Sequence, residues 1–363
     1  MPEKPPVGDP NNTPPDIGIV GNKVTIEHAG FTGGRPEHRP QDEEITERHL
    51  VHNMVRFRER PLDFLREVSL YLSGTGWRAY DNVIGQPIFY PSYSDHVKSV
   101  ILENPLLREK IRELAERRID VEEKEGLLAL RKGSRIERRE GRRNEIEGNL
   151  QQVIDTMMDN MICKMNHKRF IRGAYYLTTQ LLTRAYHLGI HVSSEEVLRL
   201  RSVAEKAARD KHSIVFLPCH KSHVDYVSLQ ILCFRLGIGL PIVVAGDNLN
   251  FPLVGSYLQN AGAMYIRRSF GNDTLYSTVV QAYVDTILTQ GYNFECFIEG
   301  GRSRTGKLLG PKFGILSFIL NSLLSGRVED TVICPVSTQY DKVIETEYGS
   351  PRATPNERLN TKG

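Results

Sequence analysis

The residues best equipped for proton chemistry are His220 and Asp225, in the stretch Cys219-His220-Lys221-Ser222-His223-Val224-Asp225-Tyr226. A short apolar run, Ser213 to Pro218, precedes them and reads as a buried strand. Val227 to Leu236 follows and reads as a helix with one apolar face. A strand that ends in a turn and opens a helix is where open α/β sheets place ligands. Across four intervening residues, a bend lets the carboxylate reach the imidazole, fix its tautomer and leave the other nitrogen as a base. The bland alternative is a helix N-terminus with Asp225 in its first turn and His220 an incidental loop residue. A metal site built from His220, His223 and Asp225 is a second rival, but further His or Cys ligands at suitable spacing are missing. No metal is expected.

Three more polar clusters follow apolar runs. Gly262-Ala263-Met264-Tyr265-Ile266 leads into Arg267 and Arg268, two guanidinium groups suited to fork onto a phosphate, or else surface charges. Phe297-Ile298 leads into Glu299-Gly300-Gly301-Arg302-Ser303-Arg304-Thr305-Gly306-Lys307, a cradle for phosphate or carboxylate in which Glu299 would orient the arginines. Ile333-Cys334-Pro335-Val336-Ser337-Thr338-Gln339-Tyr340 reads as an apolar wall with a hydroxyl-bearing end. Gly301 to Lys307 also matches Gly-x4-Gly-Lys, a near miss to a nucleotide P-loop. Leu308 stands where Ser or Thr should meet the metal, and Gly310-Pro311 breaks the helix that should cradle the phosphates. The P-loop reading therefore fails.

These clusters need strands to hold them, and the sequence supplies strands after Lys211. Apolar runs at Ser213 to Leu217, Pro241 to Ala245, Ala263 to Ile266, Phe294 to Ile298 and Thr331 to Val336 alternate with helical patterns. The helices are expected at Val227 to Leu236, Leu253 to Gln259, Asp273 to Thr289 and Phe313 to Leu324. This alternation predicts an α/β fold with a mainly parallel sheet covered by helices, spanning 211–345. Residues 44–210 read as an all-helical region. Helices are expected from Glu44 to Leu72 with a break at Pro61, and from Asp95 to about Leu130 with Pro105 as a break or new start. Two more run from Glu145 to about Leu188, joined near His167 and Lys168, and one from Glu195 to about Arg209 behind a Ser193/Glu196 capping box. Residues 1–43, rich in Pro, Gly and Asn, read as a disordered tail, and 346–363 as an irregular one.

Composition narrows the partners. Of 363 residues, 40% are hydrophobic and 25% charged, ordinary for a globular chain. A net charge of +3 gives no reason to expect nucleic acid. The five dispersed cysteines read as reduced thiols of an intracellular chain, and the N-terminus lacks a secretory signal pattern. The best membrane-span candidate, Val227 to Ala245, is interrupted by Arg235, Gly237, Gly239 and Pro241. The charge run from Arg131 to Arg143 reads as a solvated helix face of mixed-sign pairs or as a contact for anionic lipid headgroups.

Taken in order, the four clusters resemble the glycerolipid acyltransferase family. The correspondence runs through His-x4-Asp at His220 and Asp225, Gly-x-x-x-Ile-Arg-Arg at Gly262 to Arg268, Glu-Gly-x-Arg-Ser-Arg at Glu299 to Arg304, and Pro-Val-Ser at Pro335 to Ser337. Gly246-Asp247-Asn248-Leu249-Asn250 looks like the glycerol-3-phosphate acyltransferases. Arg268-Ser269-Phe270-Gly271 and Pro311-Lys312-Phe313-Gly314 look equally like the dihydroxyacetone-phosphate acyltransferases. The resemblance implies transfer of a fatty acyl group from acyl-CoA, or an acyl-carrier protein, to the sn-1 hydroxyl of glycerol 3-phosphate or dihydroxyacetone phosphate. That is the first step of phospholipid or ether-lipid synthesis. It implies His220 and Asp225 as the catalytic pair, with Arg268, Glu299, Gly300, Ser303, Arg302 and Arg304 at the acceptor phosphate. Arg267 is a lesser candidate there, and Lys307 is added on charge. Pro335, Val336 and Ser337 would line the acyl or CoA side. Acyl-CoA is a co-substrate, and no cofactor is implied.

The substrates are amphiphiles, so a peripheral membrane surface is an expected partner, at the endoplasmic reticulum, mitochondrion or peroxisome, although the chain lacks a Ser-Lys-Leu ending. Family members usually run well past the fourth block, whereas here the chain turns after about Glu347 into a Pro-, Arg- and Asn-containing tail. A truncated, inactive, membrane-associated scaffold of the same fold is therefore the alternative reading.

Overall fold

In the computed structural model, residues 24–27, 62, 84–86, 91–130, 132–185, 190–222, 224–301 and 309–340 are described. The first 23 residues, the helices expected between Glu44 and Leu72 apart from Leu62, and the tail after Tyr340 lie outside them. The sheet is five-stranded and wholly parallel. Its strands are β3 (Ser213–Pro218), β4 (Ile242–Gly246), β5 (Ala263–Ile266), β6 (Phe294–Glu295) and β7 (Thr331–Val336), in the spatial order β5-β4-β6-β3-β7. A sheet buried on both faces wants continuous apolar strands, and Ile214-Val215-Phe216 and Ile242-Val243 supply them, all buried.

The crossover helices are α6 (Asp225–Leu236), α7 (Val254–Asn260), α8 (Thr274–Thr289) and α9 (Gly314–Leu324). Each starts within about two residues of its expected position. Gly237 closes α6 in the left-handed conformation at φ 66°, which a glycine adopts without a Cβ penalty. Asp273 caps α8 by accepting from the Tyr276 N–H at 2.9 Å. β6 is shorter than the expected Phe294 to Ile298. Cys296 N–H still bonds Phe216 O, but Ile298 O is taken by Lys312 N–H at 2.6 Å, and this pulls the chain out of the ladder. Pro335, which has no N–H to give, stands on the edge strand β7, paired only with Leu217 of β3.

The helical region comprises α1 (Tyr93–Glu103), α2 (Pro105–Lys124), α3 (Arg135–Met161), α4 (Lys168–Ala185) and α5 (Ser194–Asp210). Pro105 is a new start: Asn104 accepts the Leu106 N–H at 2.9 Å, and Pro occupies the first helical turn. α3 begins on a Ser134/Glu137 capping box. These helices share one core with the sheet, because α8 is buried nearly all round and packs against α1, α2 and α3. Two short strands add to the expected plan. β1 (Val24–Glu27) pairs in parallel with β2 (Ile190–Ser193), in stretches read as tail and as helix connection. The β-branched pairs Val24-Thr25-Ile26 and Ile190/Val192 suit a strand.

The basic run is ordered against acids of α2. Arg139 reaches Glu116, Asp120 and Glu123, Arg142 reaches Glu122 and Glu145, and Arg143 reaches Glu116. This favours the mixed-sign pairing over a headgroup contact, since these guanidinium groups already have carboxylate partners. Glu122 is buried, and its carboxyl is held down to about 2, with Arg142 as the main cause, opposed by burial and aided by Arg118. The folded value lies below the unfolded one of about 4.3. The stability from this pair is therefore present above about pH 4.3 and lost as pH falls toward about 2. Glu122→Gln should lower unfolding free energy at neutral pH by about 1–3 kcal/mol, and urea midpoints of variant and parent should converge near pH 2.

Candidate active site

Every cluster singled out in the sequence leaves the carboxyl end of a strand, and β6 lies between β3 and β4, so their exits are neighbours. This is the crevice where open α/β sheets bind ligands. β3 passes its ladder on through Cys219 N–H to Val336 O, and the chain then wraps around the carboxylate of Asp225, the first residue of α6. Asp225 Oδ2 accepts the Lys221 N–H at 2.6 Å and the Ser222 N–H at 2.7 Å, and lies 3.3 Å from His220 Nδ1. Its Oδ1 accepts the Tyr340 hydroxyl at 2.5 Å. Ser222 Oγ tightens the turn by accepting from Val224 N–H at 3.1 Å.

Asp225 is 1% exposed. Burial alone would raise its pKa. The hydrogen bonds from His220, Tyr340, Ser222 and Lys221 outweigh that and hold it below the ordinary carboxylate value. An ionised Asp225 keeps the proton of His220 on Nδ1, so Nε2, on the far side of the ring, presents a lone pair. The distance of 3.3 Å is long for a charge-assisted bond, as is common in a site without its substrate. Phe297 supports the imidazole, ring centroids 4.5 Å apart.

Glu299 does something its sequence did not announce. It is buried, with Oε1 accepting the His220 N–H at 2.8 Å and Oε2 the Leu309 N–H at 2.9 Å. It thus ties the β6 exit to the His220–Asp225 turn. Gly300 sits at φ 62°, and a Cβ there would come within 2.8 Å of Lys312 Cδ. The positive φ is what calls for glycine, since the flexible Lys312 side chain could move aside, and Lys312 places an exposed cation beside Gly300. The sequence quoted Lys312 only within a wider resemblance. Arg302, Ser303, Arg304 and Lys307, like His223, lie outside the described residues.

The two arginines after β5 part company. Arg267 pairs with Asp273 at 2.7 Å and stacks 4.1 Å over the Tyr276 ring, while its N–H bonds the Tyr276 hydroxyl. Arg268 instead turns toward β4, its Nε donating to Asn248 Oδ1 at 2.9 Å. A Cβ on Gly246 would meet that Asn248 oxygen at 2.5 Å, so a glycine is required for the approach. On the other side, Pro335 and Ser337 are exposed and Val336 is half-buried. Thr338 N–H reaches Cys219 Sγ at 3.3 Å and joins the β7 exit to the turn. The residue sequence reasoning passed over is Tyr340. Its hydroxyl at a strand end was the available signal, but its partner is 115 positions away.

The sequence model of the acyltransferase family matches residues 190–339, the stretch that contains this arrangement up to the residue before Tyr340. Residues 190–339 are thus similar to an acyltransferase domain. The chain is similar to proteins named glycerol-3-phosphate acyltransferase. The relative from Shewanella pealeana is 42% identical over 175 residues, 48% of this chain and 21% of the relative. That from Pasteurella multocida is 37% identical over 205 residues, 56% and 24%. That from Pseudomonas fluorescens is 44% identical over 134 residues, 37% and 16%. The chain thus covers less than a quarter of each of these relatives.

Tyr340→Phe removes one of the donors that keep Asp225 ionised. Turnover by the folded variant should fall about ten- to a hundredfold, the worth of a charged hydrogen bond of roughly 1.5–3 kcal/mol. The acid limb of its pH–rate profile should move to higher pH. An unmoved limb would show that the phenol does not act through Asp225.

Proposed function

We propose that this domain moves a fatty acyl group from the thioester of acyl-CoA to the sn-1 hydroxyl of glycerol 3-phosphate. The observation that carries the reading is the imidazole of His220, held by a buried, ionised Asp225 at the carboxyl end of β3. His220 Nε2 takes the hydroxyl proton as the acceptor oxygen attacks the thioester carbonyl. The tetrahedral intermediate collapses, the C–S bond breaks, and the departing thiolate takes that proton back from the imidazolium. Asp225 stays ionised throughout and stabilises the imidazolium. Direct attack needs no acyl-enzyme. In keeping with that, the nearest thiol, Cys219, is hydrogen-bonded to the Thr338 backbone. The acceptor phosphate would meet Arg268 and the Arg302–Arg304 loop, whose guanidinium forks match phosphate oxygens.

The acceptor is assigned from the names of the relatives. Dihydroxyacetone phosphate carries the same phosphate and is the acceptor to compare it with. Release of CoA should depend on the acceptor, run faster with glycerol 3-phosphate, and fall about 10²–10⁴-fold in His220→Ala. A parent rate equal to that of folded His220→Ala with both acceptors would sink the enzyme reading in favour of an inactive scaffold.

Product and donor are amphiphiles, which favours work at a membrane surface. Among the described residues no helix is long and apolar enough to cross a membrane. α9 contains no charged residue, and Phe313, Leu320 and Leu324 recur along one exposed stripe. Leu253, beside the β4 exit, is a further apolar side chain at the surface, 89% exposed. A Leu320→Ser, Leu324→Ser double variant should lose sedimentation with phospholipid vesicles while keeping its rate on a short-chain, soluble acyl-CoA. Unchanged sedimentation would locate the contact elsewhere.

A further inference from the structure

Leu253 holds a backbone conformation that is costly for a leucine. It lies at φ 70° and ψ −53°, and the Val254 N–H bonds Pro252 O at 2.9 Å across it. This is the γ-turn of positive φ, a rare and strained form. Its side chain is 89% exposed, so no burial offsets the strain. Phe251, Pro252 and Val254 are exposed as well, which makes four apolar residues in a row at the surface. The loop that carries them is clamped at its base. A Cβ on Gly255 would come within 2.9 Å of Asn250 Cα, the Gly255 N–H bonds Phe251 O at 2.8 Å, and the buried Tyr265 of β5 donates its hydroxyl to Gly255 O at 3.0 Å. Asn250 to Gly255 is therefore a closed loop with an apolar apex, two residues beyond the Asn248 that aims Arg268. Strain of this kind persists only where the surroundings impose it, and it calls for a functional reason.

Size and charge indicate what receives that apex. A stable protein interface buries roughly 800 Å² on each partner, far more than one loop apex presents. A lipid surface takes up a small apolar group without matching its shape, and holds it more tightly where cations lie beside it. The neighbouring helix supplies the cations. Phe170 of α4 packs edge-on against Tyr257 of α7, ring centroids 5.4 Å apart, and the Tyr257 N–H closes one helical turn onto Leu253 O at 3.1 Å. Just before Phe170 stand the exposed Lys168 and Arg169, the first residues of α4, where the helix dipole disfavours positive charge. Residues 160–194 carry Lys164, Lys168, Arg169, Arg172 and Arg184 and no Asp or Glu. We propose that the Asn250–Gly255 loop is a membrane anchor: Leu253 and Phe251 enter an anionic phospholipid surface, and the basic start of α4 lies against the headgroups. The strained turn then keeps an aliphatic side chain directed outward in the lipid-free protein. The inference deepens the membrane part of the proposed function and rests on it for its place in the reaction; binding of lipid by the loop does not require acyl transfer.

The test is cosedimentation, without substrates, on vesicles of phosphatidylcholine alone and of phosphatidylcholine with phosphatidylglycerol. The parent should bind the anionic vesicles more tightly, and high salt should erase the difference. Leu253→Gly should weaken partition about ten- to a hundredfold, the worth of an immersed leucine side chain. It should also melt at or above the temperature of the parent, because glycine takes positive φ without strain. Leu253→Met should retain binding. Equal partition of parent and Leu253→Gly would overturn the proposal, and a lower melting temperature would remove the strain argument on which it stands. Lys168→Gln with Arg169→Gln should abolish the preference for anionic vesicles; an unchanged preference would reject the part given to α4. Depth is read from Leu253→Trp after subtraction of the parent, whose single tryptophan is Trp77. Its emission should shift to the blue on vesicles and be quenched by lipids brominated on their acyl chains, and unchanged emission would overturn the anchor. If the loop instead joined copies of this chain, Leu253→Gly would alter the elution volume of the lipid-free protein, and that too would reject the proposal. A parent that transfers acyl groups but binds no vesicles would overturn this inference alone, whereas one that binds through Leu253 but transfers none would overturn only the reaction.

Discussion

The carboxylate of Asp225 is the constraint around which the site is arranged. A buried anion is tolerated only when donors surround it. Here two come from the backbone of the turn, one from the imidazole and one from a phenol brought in by the edge strand. Each donor has a second consequence. The two backbone donors fix the bend after β3, the imidazole is left in one tautomer, and the phenol anchors the exit of β7. A single electrostatic requirement therefore sets the loop, the protonation state and the docking of a distant strand.

The surroundings serve the same requirement. α6 begins at Asp225, so the positive end of its dipole lies against the carboxylate. Glu299 takes an N–H of the turn that Asp225 does not reach, that of His220 itself, and links it to Leu309 beyond the arginine loop. Since Glu299 follows the central strand and His220 follows its neighbour, the exits of the two strands are tied together by one buried carboxyl. Arg268 is aimed from the opposite flank by Asn248, at an approach that only Gly246 permits.

Much of this was legible in the chain. Strand positions were readable because both faces of the sheet are buried, which turns each strand into an apolar run, as in Ser213 to Leu217. His220 and Asp225 could be paired because the turn between them is local. The parts that escaped depend on distance or on competition between groups. Tyr340 finds Asp225 only through the register of β7 on β3. The end of β6 at Glu295 follows from Lys312 claiming the carbonyl of Ile298, which no propensity foretells. β1 and β2 are four-residue strands, too short for periodicity to register. The expected role of Glu299 as a holder of arginines came from its neighbours in sequence, whereas its two oxygens answer to neighbours in space.

The strand order has a consequence for how the protein acquires its chemistry. β3 leads into His220, yet its two flanking strands, β6 and β7, are the last of the sheet in the chain. The phenol that steadies Asp225 follows β7 and closes a loop of 115 residues. Such long closures lose much chain entropy before their contacts form, and parallel pairings of this kind assemble late. A nascent chain emerging from the ribosome would hold His220 and Asp225 for another 115 residues before Tyr340 is made. The fold thus completes the surroundings of Asp225 only when the sheet is closed, and a half-made domain presents the imidazole without the phenol that steadies its carboxylate partner.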